Sequence, residues 1–222
     1  PERLAAPHLD VDAVDGDEVT EALHELARRD QGVRHAASTL PVALTTDAAG
    51  FGGPVRSPAV QLRDVLPGDL DTILAINEAC VPAVGTSTLA EITHLVGEAV
   101  IALVADVEDQ IAGFCLVLAP GADYGSMNYR WFSERYDDFV YLDRVAIAEP
   151  FRRGGIGQAM YAEVERRSVI EQPSATHFTL EVNLRPRNDP SLAFHARLGF
   201  EEVGQHETDY GALVSLMAKP LG

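Results

Sequence analysis

"FRRGGIGQAM", residues 151–160, places two arginines and three glycines directly before "YAEVERRS", which reads as a helix. Glycine costs backbone entropy, so this cluster marks either a plain connecting turn or a loop whose backbone comes close to something. Upstream, "DFVYLDRVAIAEP" is rich in β-branched and aromatic residues and reads as a strand ending at Ile147. The unit is strand, loop, helix, with the helix beginning near Ile156. The first amides of a helix lack intrahelical acceptors and carry partial positive charge, which suits phosphate oxygens. Gly155 and Gly157 leave the backbone open to an anion, and Arg152 and Arg153 add charge. The loop contains neither G-x-G-x-x-G nor G-x-x-x-x-G-K-[ST], so it is not a dinucleotide fingerprint or a Walker loop.

Around this unit the chain alternates in period. "AVQLRDVLP" reads as a strand, and "GDLDTILAINEACV" as a helix with the apolar stripe Leu70, Ile73, Leu74 and Ile76. "STLAEITHLVGEA" is a second helix capped by Ser87 or Thr88. "VIALVADVEDQIAGFCLVLAP" is a hairpin turning at Glu108 and Asp109. After the glycine loop and its helix come the strand "ATHFTLEVNL", the helix "DPSLAFHARLGF", and the closing strands "EEVGQHETD" and "ALVSLMAKP". The order β-α-α-β-β-β-α-β-α-β-β predicts an α/β (α+β) domain over residues 59–222, a central twisted mixed sheet flanked by helices. Residues 1–58 read as a separate N-terminal extension. It holds a helix with Val19, Leu23 and Leu26 on one face and Asp17 as its cap, then a Gly/Pro-rich linker.

The 222 residues carry 46% hydrophobic and 23% charged side chains, as an ordinary globular protein does. A formal net charge of −17 argues against a broad basic surface for nucleic acid or an anionic membrane. No apolar run is long enough to span a bilayer, and the start lacks a basic segment followed by an apolar one. The expectation is a cytoplasmic protein. Cys80 and Cys115 show no ligand-like spacing, so neither a metal site nor a disulfide framework is expected. Cys115, inside "IAGFCLVLA", reads as a small buried hydrophobe.

The order of elements, "VAIAEPFRRGGIGQAM" and the later "NDPSLAFHARLGF" together resemble the GNAT acyltransferase superfamily. The superfamily signature R/Q-x-x-G-x-G/A fits Arg152, Gly155 and Gly157. Its later N-x-x-[AS]-x-x-[FLI]-Y-x-x-x-G-F fits Asn188, Ser191, Phe194, Gly199 and Phe200. The resemblance covers about Val60 to Pro220. It implies acetyl-CoA or another acyl-CoA as cofactor. The loop amides from Arg152 through Arg153, Gly154, Gly155 and Gly157 to Gln158 would hold its pyrophosphate. The strand from Val145 to Ile147 would pair with the pantetheine arm through its backbone, and Asn188 and Ser191 would lie along the same arm. The activity implied is transfer of an acyl group to the primary amine of a small molecule or an amino-terminus, by direct attack within a ternary complex.

Acyl transfer to an amine needs a base for the ammonium, a donor for the tetrahedral oxyanion, and a proton for the departing sulfur. In "HFTLEVNL" alternation sets Thr179, Glu181 and Asn183 opposite Phe178, Leu180, Val182 and Leu184. A glutamate in a central strand needs partners or a task. The "LEV" also resembles the amino-terminal acetylating branch of the superfamily, where this glutamate is the general base. The alternative is a structural ion pair with Arg144. Asp143 is the second candidate, sharing a face with Tyr141 and Val145. It would serve as base through a water or hold the substrate ammonium; a salt bridge across the sheet is the alternative. The resemblance implies an oxyanion donor at the backbone N–H near Val145. At the superfamily's tyrosine, the usual acid, this chain carries His195. An imidazolium can protonate a thiolate, and its pKa lies near working pH; the alternative is that His195 only packs.

"PGADYGSMNYRWFSERYDDF" separates two strands and is long and aromatic enough to be a functional loop over the acceptor site. Tyr124, Asn128, Tyr129, Trp131 and Phe132 are the expected substrate contacts, with Asp123, Asp137 or Asp138 receiving a cationic amine. A satellite hydrophobic cluster or a homodimer contact is the alternative. The competing function is a catalytically inactive acyl-CoA-binding sensor or interaction module.

Overall fold

The computed structural model describes residues 59–222. The expected extension over 1–58, with its helix at Val19, Leu23 and Leu26, lies outside the described residues.

Seven strands form one sheet: β1 (Val60–Asp64), β2 (Ile101–Val107), β3 (Gln110–Leu118), β4 (Phe139–Ile147), β5 (His177–Arg185), β6 (Glu201–Glu207) and β7 (Leu213–Pro220). Their spatial order is β1-β2-β3-β4-β5-β7-β6. Every neighbouring pair is antiparallel except β4 and β5. The helices are α1 (Leu70–Ala79), α2 (Leu89–Glu98), α3 (Met127–Ser133), α4 (Ile156–Glu171) and α5 (Asp189–Arg197).

The sheet is apolar on both faces because helices cover both. In β3, Phe114, Leu116 and Leu118 point into one core with Ile73 and Ile76 of α1, Ile92 and Leu95 of α2, and Phe132 of α3. Cys115 and Val117 point into the other core, with Met160, Tyr161 and Val164 of α4. Such a strand reads as a continuous apolar run rather than an alternation. Each fully buried Leu, Ile or Phe contributes roughly 1.5–3 kcal/mol, so these two layers supply most of the driving force. Cys115 is 1% exposed, as expected, and its surroundings push the thiol pKa up to about 12.

Local signals set the element ends. Thr88 caps α2: its Oγ1 accepts from Glu91 N at 3.2 Å, and its own N–H donates to Glu91 Oε2 at 2.6 Å. The β2–β3 hairpin turns at Glu108 and Asp109, both at positive φ, as a tight turn between twisted strands requires. One element differs from the sequence reading. The aromatic segment holds the helix α3, capped by Ser126, where an irregular loop is expected.

Two features of β4 shape the functional end. Leu116 pairs with Arg144 and Val117 with Leu142, so Asp143 is an extra residue, a β-bulge. The parallel pairing of β4 with β5 covers only Phe139–His177, Val140–Phe178 and Tyr141–Thr179. Both strands run on past that point, β4 to Ile147 and β5 to Arg185, and a gap opens between them.

Helix α3 is locked onto β6 by a close approach. A Cβ at Gly204 would stand 2.6 Å from Trp131 Cζ2. Gly204→Ala is expected to displace the indole and cost about 1–3 kcal/mol in urea unfolding. Gly68→Ala, where nothing lies within 4 Å of the added carbon, should stay within about 0.5 kcal/mol of the parent.

Candidate active site

The gap between β4 and β5 carries backbone groups with no strand to pair with. Ala148 N donates to Ala112 O at 2.9 Å. Antiparallel alternation then turns Ala146 and Arg144 toward β3, and Val145 and Ile147 toward the gap. The Ile147 carbonyl accepts from Arg152 Nε at 2.9 Å, so Arg152 ties the glycine loop to β4. A second Arg152 nitrogen lies 3.3 Å from Cys80 Sγ.

The glycine loop ends at Gly155, the N-cap of α4, at φ 80° and ψ 0°. That left-handed conformation favours glycine. No side chain caps this helix, so its first amides point outward without a protein acceptor. Arg152, Arg153, Gly154, Gly155 and Gln158 are exposed. A Cβ at Gly157 would meet Ile147 Cδ1 at 3.4 Å and Phe194 Cζ at 3.6 Å, so the helix start packs against the end of β4. An uncapped helix N-terminus, a left-handed glycine, two exposed arginines and an adjoining strand edge suit a pyrophosphate followed by an extended amide chain.

Past the Tyr141 pairing, the face of the gap on the α1–α3 side is polar. Tyr141 Oη donates to Glu181 Oε2 at 2.7 Å. Asn128 of α3 lies near the Glu181 carboxylate and favours its ionised form. Burial, and then the Asp143 charge, push the Glu181 pKa up to about 7 despite these bonds. The Asp143 side chain is 5% exposed, and burial raises its pKa too. Its Oδ2 stands 3.3 Å from Arg144 Nε, yet neither atom makes a hydrogen bond. The Tyr124 hydroxyl lies near the same carboxylate and favours its ionised form. Tyr210, between β6 and β7, interacts with Asn128 and feels the Glu181 charge.

The expected ion pair of Glu181 with Arg144 is not formed. Arg144 bonds Asn77 Oδ1 at 2.8 Å and Gly85 O at 3.0 Å, beside α1. The expected common face of Tyr141, Asp143 and Val145 needs a correction. The bulge flips the alternation, so Tyr141 packs in the α1–α3 core while Val145 packs in the α4 core.

His195 also departs from expectation. It is 5% exposed. Its Nδ1 lies 2.8 Å from the Ser191 carbonyl, which fixes the proton there, and its Nε2 accepts from Tyr161 Oη at 2.6 Å. Burial lowers its pKa. Both nitrogens are committed and the cation is disfavoured, so the imidazolium donor is not supplied here. Asn188 caps α5, accepting from Ser191 N at 3.2 Å, and Ser191 Oγ lies 3.3 Å from His195 Nδ1.

The aromatic segment divides. Tyr124 and Asn128 face the carboxylates. Tyr129 packs on Tyr124 and Tyr141, and Phe132 on Tyr141, so these rings support the carboxylate side from the core, where substrate contacts are expected from sequence. The Tyr129 hydroxyl donates to Ala119 O at 2.6 Å and accepts from Ala122 N at 3.0 Å. Phe132 is fully buried, and Trp131 packs on Phe132, Gly204 and the Arg135 guanidinium. Asp123 is held to α2 through Glu98, and Asp137 and Asp138 are exposed before β4. Sequence reasoning missed Tyr161, His206 and Tyr210. Tyr161 continues the apolar face of α4, and the other two lie in a hairpin with no informative periodicity.

The acetyltransferase (GNAT) family matches residues 73–200. Sequence comparison with curated proteins gives no match. Among solved structures, Ard1 from Thermoplasma volcanium superposes with a TM-score of 0.59 at 18% identity, covering 73% of this chain and 98% of that one. The ribosomal-protein-S18-alanine N-acetyltransferase from Escherichia coli gives 0.56 at 17% identity, over 73% and 94%. Arabidopsis thaliana NAA60 in complex with acetyl-CoA gives 0.59 at 19% identity, over 72% and 99%. At these identities the likeness is one of fold. Among the described residues no helix is long and apolar enough to cross a membrane.

The raised Glu181 pKa has a consequence for stability. The unfolded carboxyl titrates near about 4.3 and the folded one at about 7. Between these values the folded state holds a proton that the unfolded state has lost. Stability is therefore expected to fall as pH rises through this window and to level off above it, by about 4 kcal/mol from this residue. Chemical denaturation of Glu181→Gln should show a shallower slope between pH 4.5 and 7, with Asp143 supplying what remains.

Proposed function

This chain belongs to the acetyltransferase (GNAT) family, and from that premise we propose that it transfers an acetyl group from acetyl-CoA to the primary amine of a small molecule or an amino-terminus, by direct attack in a ternary complex. The observation that carries the reading is the proton-accepting carboxyl of Glu181 beside a strand gap that ends at an uncapped glycine-rich helix start.

The cofactor would supply an activated thioester. Amides from Gly155 to Gln158, with Arg152 and Arg153, would hold the pyrophosphate, and the edge of β4 would pair with the pantetheine arm through Val145 and the Ile147 N–H, the Ile147 carbonyl being taken by Arg152. Asn188 and Ser191, at the start of α5, flank that arm. These contacts fix position without touching the reacting carbon.

Glu181 takes the proton of the incoming ammonium, directly or through one water. A base of pKa near 7 is half ionised at neutral pH and binds the proton strongly enough to be useful. Asp143 adds negative charge beside Glu181 and favours an ammonium there before deprotonation. The Val145 N–H, turned toward the gap, donates to the oxyanion. Tyr124 and Tyr210 flank the amine's substituent. The same chemistry fits a small amine and a peptide amino-terminus, since both offer one primary amine on a variable substituent.

Purified protein with acetyl-CoA and a panel of primary amines and short free-amino-terminus peptides tests the proposal by free-thiol release. Turnover with at least one acceptor is expected, and Glu181→Gln should lower kcat/KM at neutral pH by about 100-fold or more. Acetyl-CoA binding without turnover on any amine would instead indicate a sensor or interaction module. Full activity in Glu181→Gln would remove the base role.

A further inference from the structure

Residues 80–88, between α1 and α2, have no part in the site described above, yet contacts at two points fix where they run. At one end, Cys80 Sγ lies 3.7 Å from the Ile147 carbonyl and 3.3 Å from an Arg152 nitrogen. Further on, the Gly85 carbonyl accepts from Arg144 Nη1 at 3.0 Å. Arg144 and Ile147 bound the stretch of β4 whose edge faces the gap, so the segment from Cys80 to Gly85 lies along that stretch. Cys80 and Val84 pack with Ala146 in the α1–α3 core, which sets the segment on that face of the sheet. Glu181 is turned to the same face, because Phe178, Leu180 and Val182 pack in the α4 core and alternation sends Glu181 the other way. An amine that reaches Glu181 from this face passes the segment.

Hydrogen bonds centred on Arg144 fasten it. Nη1 donates to Asn77 Oδ1 at 2.8 Å as well as to Gly85 O. Asn77 is fully buried, and its Nδ2 donates to Gly85 O at 2.9 Å and to Glu78 Oε1 at 3.0 Å. Glu78 Oε1 accepts in turn from Ser87 N at 2.9 Å. The Gly85 carbonyl thus takes one donor from β4 and one from α1, as its two lone pairs allow. Val81, Pro82, Ala83 and Thr86 are exposed. With so little buried surface of its own, the segment depends on these bonds for its place.

Resting on the reading of Glu181 as the base, we infer that Arg144 is a positioning residue for the acceptor: from the bulge in β4 it holds the α1–α2 segment along the edge that faces the gap, and so shapes the amine's path to Glu181. The bulge is what makes this possible. Strict alternation from Tyr141 would turn Arg144 to the α4 face; the extra residue turns it to α1 instead. Its Nε stands 3.3 Å from Asp143 Oδ2, so the same side chain is paired beside the bulge while its far end reaches the segment. A planar guanidinium carries donors in a fixed fork and can serve both ends at once, which a single ammonium on a flexible stem does not.

Two variants loosen the fastening from different elements. Arg144→Lys keeps a cation on β4 and removes the fork. Glu78→Ala removes the acceptor of Ser87 N from an exposed position on α1 and leaves β4 as it is. Amide hydrogen exchange without substrates reads the segment at Ser87 and at Ala83, whose N–H donates to Cys80 O at 2.8 Å. Both amides are expected to exchange about tenfold faster in each variant, with Ala146 and Ala148 unchanged. Acetyl-CoA affinity by titration calorimetry should stay within about twofold of the parent, while the KM of the best amine of the panel rises about tenfold at a kcat within about twofold. The double variant should add little to either single change, since both act on one fastening. A general loss of folded protein would lower kcat and leave KM in place. Parent-like exchange at Ala83 and Ser87 in Arg144→Lys overturns the inference whether or not any amine turns over. An unchanged acceptor KM overturns it, as does a loss of acetyl-CoA affinity equal to the rise in acceptor KM. Absence of turnover by the parent on every amine removes the catalytic reading, and the acceptor role with it, even where the exchange result holds.

Discussion

An extra residue in a strand reverses which face every later side chain takes, and in β4 that residue is Asp143. Before it, Tyr141 lies in the layer under α1–α3; after it, Val145 and Ile147 lie in the layer under α4. The bulge also stands close to where the pairing of β4 with β5 ends. One local irregularity thus produces three things together. A carboxylate is buried where the strand should have paired. The backbone edge beyond it faces a gap instead of a neighbour. The end of β4 arrives beside the uncapped start of α4.

The chemistry then follows from burial and charge. Two carboxyls share one partly desolvated space, and each makes ionisation of the other costlier. Arg144 pairs with Asp143 at 3.3 Å while its Nη1 bonds Asn77 and Gly85, and it forms no ion pair with Glu181. Tyr141 and Asn128 moderate Glu181 without neutralising it. On the opposite face, His195 and Tyr161 satisfy one another inside the α4 layer. A histidine at a family tyrosine position here completes a buried polar pair rather than supplying an acid, which is the cheaper arrangement for two groups cut off from water.

The architecture was legible because the periodic segments were long and both sheet faces were covered. "IAGFCLVLA" could be little else than a central strand, and the glycine loop sat between a clear strand and a clear helix. Glu181 was legible by alternation, since a carboxylate opposite Phe178, Leu180 and Val182 has to be partnered or functional. The bulge was not legible: "VYLDRVAI" carries no glycine or proline to signal it, and without it Asp143 and Val145 would share a face. The aromatic segment misled for a related reason. Its rings read equally well as substrate contacts or as core, and only the contact of Trp131 with Gly204, distant in sequence, decides for the core. His206 and Tyr210 join the site through contacts between β6, its turn and α3 that no local pattern encodes.

The central claim is that the open edge of β4 and the uncapped start of α4 form one binding surface for the cofactor. Amide hydrogen exchange with and without acetyl-CoA tests it most directly. Slower exchange on binding is expected at Val145, Ile147 and Gly155 to Gln158, with the amides of Ala146 and Ala148, which face β3, much less affected. Saturating acetyl-CoA that leaves Val145, Ile147 and the glycine amides exchanging at their original rates would contradict the account.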